Sequence, residues 1–104
     1  MTIKSLPEVF SGITEYFAPV TIGKVGDLNV NCSKVKGMYL WHKHDSAEEL
    51  FYIHKGQLTV HYKDHDVSLK EGDCHTVPKG AVHRTSSEKG AEVFFISPDD
   101  WIKV

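Results

Sequence analysis

From Val20 to the C-terminus, short segments rich in Val, Ile, Thr, Tyr and Phe give way every few residues to clusters of Gly, Pro, Asp, Asn and Lys. Apolar and β-branched runs of this length, bounded by turn residues, predict strands. They fall at residues 20–25, 28–36, 38–44, 49–55, 57–63, 66–70, 74–77, 82–86 and 91–97. The breaks between them include Gly26-Asp27, Asp45-Ser46, Lys55-Gly56, Glu71-Gly72-Asp73, Pro78-Lys79-Gly80 and Lys89-Gly90, and Gly56 reads as a hairpin position. Many short strands closely spaced with turns between them predict an all-β sandwich or barrel.

The period is different upstream. Leu6, Val9, Phe10, Ile13 and Phe17 recur at helical spacing. Ser5 followed by Glu8 fits a capping box, with Pro7 in the first turn, where a missing N–H costs nothing. A single apolar stripe on a short helix predicts a strap packed on the sheet. The organisation expected is therefore an N-terminal helical strap over residues 1–19 and one β-barrel domain over residues 20–104. The C-terminal stretch SPDDWIKV carries Trp101 and Ile102 and is expected to pack against the rest.

Length and charge narrow the function classes. A chain of 104 residues forms one domain, and 40% hydrophobic with 25% charged residues is the balance of a soluble protein. Its 12 basic and 14 acidic residues give a net charge of −2, which argues against a nucleic-acid partner. Apolar runs such as Val93 to Ile96 are too short to span a membrane, and the N-terminus lacks the apolar core of a signal peptide. The expected location is the cytoplasm. Cys32 and Cys74 form no Cys-x-x-Cys pair and are expected to be reduced, small and buried.

The histidines carry the chemistry. There are seven, and His42 and His44 stand two apart in Trp41-His42-Lys43-His44. On a strand, alternate side chains share a face at roughly 6.5–7 Å along the backbone, so the two imidazoles can converge on one ion. The turn-forming stretch Asp45 to Glu48 then allows Glu49 to open the next strand beside them. Further on, Gly72-Asp73 leads into a short strand, and Pro78-Lys79-Gly80 reverses the chain to deliver His83. Three imidazoles and a carboxylate suit one divalent transition metal ion, Mn, Fe, Ni, Cu or Zn. On a six-coordinate ion they leave two positions open for a bidentate oxygen ligand or dioxygen.

These two clusters resemble the paired motifs of the cupin superfamily, in particular its small single-domain bacterial members, often described as mannose-6-phosphate-isomerase-like. Gly37, His42, His44, Glu49 and Gly56 follow the first motif, with four residues between Gly37 and His42 where the family has five. Gly72, Pro78, Gly80 and His83 follow the second, with Ser87 in place of its terminal Asn. The resemblance implies a double-stranded β-helix, that is, a jelly-roll barrel with a short N-terminal helical segment. It also implies that His42, His44, Glu49 and His83 ligate the metal, and that the chain forms a homodimer.

Strand parity predicts the rest of the site. Met38 and Leu40 share the parity of His42, and Phe51 and Ile53 that of Glu49, which gives an apolar pocket wall. Trp41, Leu50 and Tyr52 have the opposite parity and are expected to be covered by the N-terminal strap or a second subunit. His54, His61, His65 and His75 fall outside the motifs and read as surface or half-buried residues, and Arg84 as a member of a structural ion pair. Two function classes follow. The first is a metal-binding protein that captures a small molecule in the barrel. The alternative is a metal-dependent enzyme of dioxygenase, isomerase or decarboxylase type, acting on a small organic acid or sugar derivative. Titratable groups in the pocket beyond the four donors would favour the enzyme. A mannose-6-phosphate isomerase would need a Lys/Arg cluster for phosphate, and none is apparent.

Overall fold

The computed structural model describes residues 3–104. A helix α1 (Leu6–Ser11) precedes eight strands: β1 (Val20–Val25), β2 (Leu28–Met38), β3 (His42–Lys43), β4 (Glu49–Tyr62), β5 (Asp66–Lys70), β6 (Cys74–Val77), β7 (His83–Ser97) and β8 (Ile102–Lys103). All named pairings are antiparallel, in a sheet running β1-β2-β7-β3-β8, with β4 joining β5, β6 and β7. The sheet curls into the expected all-β jelly-roll barrel. No helix among the described residues is long and apolar enough to cross a membrane.

β4 and β7 form the spine, and each reads in sequence as two strands. The hairpin expected at Gly56 is absent, because the chain runs straight through it. Gly56 and Gly90 both have positive φ, 84° and 100°, and both sit where β4 and β7 bend together. Register shifts at Ile53/Lys55 and Gly56/Thr59 mark bulges in this ladder. A bulge inserts an unpaired residue and moves inward-facing positions from one parity to the other. Accordingly, the buried residues are Glu49, Phe51 and Ile53 before the bulge and Leu58 and Val60 after it. A side chain at Gly56 would collide with the Gly90 carbonyl oxygen, in addition to the strain of positive φ. Gly56→Ala is therefore expected to lower stability by about 1–3 kcal/mol, measured by urea denaturation; an unchanged midpoint would contradict the bulge account.

The expected strand 38–44 is also revised. Gly37, at φ 82°, shifts the β2–β7 register, β2 ends at Met38, and pairing resumes only at His42. Tyr39 N–H donates instead to Thr85 O at 2.9 Å.

The main core comprises Phe51, Ile53, Leu58, Val60, Leu69 and Val77 with Ala91 and Val93. A second cluster lies under α1, where Phe10 and Ile13 pack on Cys32 with Ile22 and Phe94 at its edge. The helix is shorter than its apolar stripe, since Ile13 and Phe17 lie beyond it, and Ser5 occupies the N-cap without a capping side-chain bond. Cys32 is buried but Cys74 is exposed, contrary to expectation, and both are free thiols. Arg84 makes a cation–π contact rather than the ion pair expected: its guanidinium sits 4.6 Å from the Trp41 ring centroid, beside the Lys63 ammonium at 4.0 Å. The chain thus covers part of the Trp41 face itself.

Candidate metal centre

Each of the four donors sits at the edge of a strand. His42 opens β3, His44 lies just beyond it, and Glu49 and His83 are the first residues of β4 and β7. A bend over residues 45–47 returns the chain, so Glu49 stands beside the histidines despite its odd offset from them. His42 pairs directly with His83. One ligand atom from each of His42, His44, Glu49 and His83 lies within 4.8 Å of every other, and all four residues are buried.

The imidazoles are held in a single orientation. His42 Nδ1–H donates to Leu40 O at 2.7 Å, His44 Nδ1–H to Asp100 O at 2.6 Å, and His83 Nδ1–H to Ala81 O at 2.9 Å. A carbonyl only accepts, so in each neutral ring Nε2 is the lone-pair nitrogen. Glu49 Oε1 lies 3.2 Å from His83 Nε2 and 3.4 Å from His44 Nε2. Lone pairs facing a carboxylate repel unless a cation stands between them. His44 Nε2 is buried and has no hydrogen-bond partner, a costly state unless something else binds it. The arrangement fits a divalent metal ion: the donors are nitrogen and oxygen, their protons point outward, and backbone carbonyls fix the rings from behind.

The electrostatics agree. Burial lowers the His42 pKa to about 4, assisted by the neighbouring His83 and His44 and only partly offset by the Leu40 carbonyl and Glu49. Burial also pulls down on His44, but there the facing Glu49 carboxylate and the Asp100 carbonyl outweigh it and raise the pKa above its ordinary value. Burial pushes Glu49 up, yet the His44 and His83 imidazoles prevail and hold its carboxyl below the usual range. His42 thus keeps its lone pair free through mild acid, whereas at His44 protons begin to compete with a metal at higher pH. Metal affinity is therefore expected to fall as pH drops through the raised His44 pKa, approaching about tenfold per pH unit, with His42 competing only near pH 4. Zinc titrations across that range check this; a flat profile would contradict it.

The C-terminal segment closes the centre from outside. β8 pairs with β3, placing Lys103 opposite His42 and Ile102 opposite Lys43. The Trp101 ring stacks on His42 at 5.4 Å and 21°. The Asp100 carboxylate accepts the Asp45 N–H at 2.7 Å and the Ser46 hydroxyl, so it pins the loop carrying His44 while its carbonyl orients that imidazole. The tail packs as expected.

A cavity of about 330 Å³ opens beside His42, His44 and Glu49. Of the pocket residues expected from parity, Phe51 lines it and Ile53 is sealed in the core. Met38 and Leu40 do not line it. They are 52% and 49% exposed, because the register shift at Gly37 and the end of β2 at Met38 interrupt the alternation that would have turned them inward. Nor is the pocket uniformly apolar. Phe51, Leu58 and Phe95 face a polar wall of Asn31, Ser33, Thr85 and Ser97, and Tyr39, Asp99 and Trp101 also contribute to its lining. The sequence did signal that wall, since Asn29, Asn31 and Ser33 alternate along β2. Polar residues on a strand read first as a solvent face, but here α1 covers the other side. Of the remaining histidines, His54 bonds Glu92 and stacks on Phe10, His61 bridges Asp66 and Ser86, and His65 and His75 both contact Tyr62.

Comparison with known proteins agrees with this architecture. The YdbB protein of Bacillus subtilis is 35% identical over 86 residues, covering 82% of this chain and 76% of its own. A cupin-2 domain protein from Shewanella frigidimarina superposes with a TM-score of 0.88 at 25% identity, over 92% of this chain and 94% of that one. The hydroquinone 1,2-dioxygenase of Sphingomonas sp. TTNP3, solved with 4-hydroxybenzoate bound, shares the fold at a TM-score of 0.77 and 20% identity, over 96% of this chain and 75% of that one. The family model for the cupin domain matches residues 33–97, well over half the sequence. With its barrel, its two motifs and these relatives in agreement, the chain belongs to the cupin domain family.

Proposed function

We propose that His42, His44, Glu49 and His83 hold one divalent transition metal ion, and that the protein binds a small molecule in the adjoining cavity. The observation that carries this reading is the common orientation of the three imidazoles. Each Nδ1–H is spent on a backbone carbonyl, and the buried Nε2 of His44 faces Glu49 without a partner. The cavity, about 330 Å³ with apolar and hydrogen-bonding walls, is within the range of small-molecule sites. A bound ion of this kind acts as a Lewis acid toward a ligand's oxygen atoms.

A metal-dependent enzyme remains the alternative, and one observation favours it. Asp99 and Tyr39 line the cavity, so it contains titratable groups besides the four donors. Asp99 already accepts a hydrogen bond from the Asn29 amide, which holds its carboxylate at the cavity rim. The hydroquinone dioxygenase with the same barrel keeps dioxygen chemistry within this alternative. The protein is also proposed to form a homodimer, which would cover the half-buried outer positions Leu50 and Tyr52. Elemental analysis of untagged protein, followed by a metabolite thermal-shift screen of the loaded form, tests the reading. About one equivalent of metal and a stabilising small molecule are expected; a metal-free preparation that takes up none on titration would refute it.

A further inference from the structure

The polar wall of the cavity is a built surface. Asn31, Ser33, Thr85 and Ser97 are 7%, 3%, 8% and 6% exposed, and all four line the cavity. The Thr21 hydroxyl donates to Asn31 Oδ1 at 2.7 Å, which fixes the amide with its NH2 group turned the other way. That group carries two donors, and its protein contact is a long one, 3.5 Å to Ser97 Oγ. An N–H of Asn31 and the hydroxyl hydrogen of Ser97 are thereby left for a guest. The β4–β7 register, with Leu50 opposite Ile96, brings Ser97 to the level of Glu49, so these donors flank the metal centre. Buried donors of this kind discriminate sharply, because a guest unable to accept from them leaves them desolvated and unpaired.

The charges around the cavity point the same way. Among the described lining residues there is no lysine or arginine, and the acidic groups are Glu49 and Asp99. Those two carboxylates balance a divalent ion. A guest bringing its own carboxylate or phosphate would find no cationic side chain in that lining and would face the Asp99 carboxylate exposed at the cavity rim. At the roughly 30 Å³ that a water occupies in the liquid, the cavity has room for about ten non-hydrogen atoms.

From this wall and its charges we infer that the guest is a small uncharged hydroxy-ketone or diol, accepting hydrogen bonds from Asn31 and Ser97, and that carboxylated and phosphorylated analogues are rejected. This inference rests on the metal-centre reading above and deepens it. A matched pair of probes tests it by calorimetry on zinc-loaded protein: kojic acid, a hydroxy-ketone with a hydroxymethyl arm, and comenic acid, the same ring with a carboxylate in that place. Kojic acid is expected to bind at least about tenfold more tightly. Asn31→Leu and Ser97→Ala are each expected to weaken kojic acid binding several-fold while zinc stoichiometry and melting temperature are retained. Comenic acid binding equally or better, kojic acid failing to bind the loaded protein, or folded variants binding it as wild type does would overturn the inference. Failure of the wild type to load zinc would instead strike at the metal centre itself, and zinc content measured on the same sample distinguishes the two.

Discussion

His44→Ala is expected to lose more than about 100-fold in metal affinity while remaining folded. His44 is the informative donor because its Nε2 is the one with no protein partner, and its Nδ1–H is already committed to Asp100 O. Truncation removes the nitrogen on which Glu49 is focused and leaves the barrel core, which His44 does not enter, intact. The effect should be read as a difference between apo and loaded protein. An ion present at 100 times its dissociation constant stabilises the wild type by about 2.7 kcal/mol, on the order of 10 °C or more in a domain of this size. In His44→Ala that increment should vanish. A variant melting as the loaded wild type does, with metal still bound, would remove His44 from the site.

The second large effect concerns a residue that touches no proposed ligand position with its side chain. Asp100→Ala is expected to lower metal affinity about 10- to 100-fold, the range typical of groups that orient metal ligands. Its carboxylate accepts from the Asp45 N–H and the Ser46 hydroxyl, which hold its pKa below the usual range, and so ties the C-terminal segment to the loop after His44. With that tie cut, the Asp100 carbonyl that fixes the His44 ring and the Trp101 ring stacked on His42 both lose their anchor. Asp100→Asn, which keeps an acceptor oxygen, should recover part of the affinity. A merely stabilising role would lower the melting temperature of apo and loaded forms alike, so equal shifts in the two would contradict a positioning role.

Much of this was legible in the sequence, for identifiable reasons. β1, β5 and β6 have the expected limits because Gly26-Asp27, Asp64-His65 and Gly72-Asp73 are true turns flanking alternating segments. Gly56 and Gly90 have the same local signature, but their positive φ serves a bend within two paired strands. Sequence does not distinguish a bulge from a turn until the partner strand is known. The four proposed donors come together because two of them alternate on one short segment and the others open strands next to it. The pocket was harder to read. Parity carries only along an unbroken strand, and Gly37 breaks it ahead of Met38 and Leu40. The Asp100 tie joins residues more than fifty positions apart, and no local pattern announces it.

The most direct test is a crystal structure of the metal-loaded protein with diffraction data collected on both sides of the metal's absorption edge. The account predicts one anomalous peak per chain within bonding distance of the Nε2 atoms of His42, His44 and His83 and of a Glu49 oxygen, with each Nδ1 still bonded to its backbone carbonyl. A peak elsewhere, or coordination through Nδ1, would contradict it.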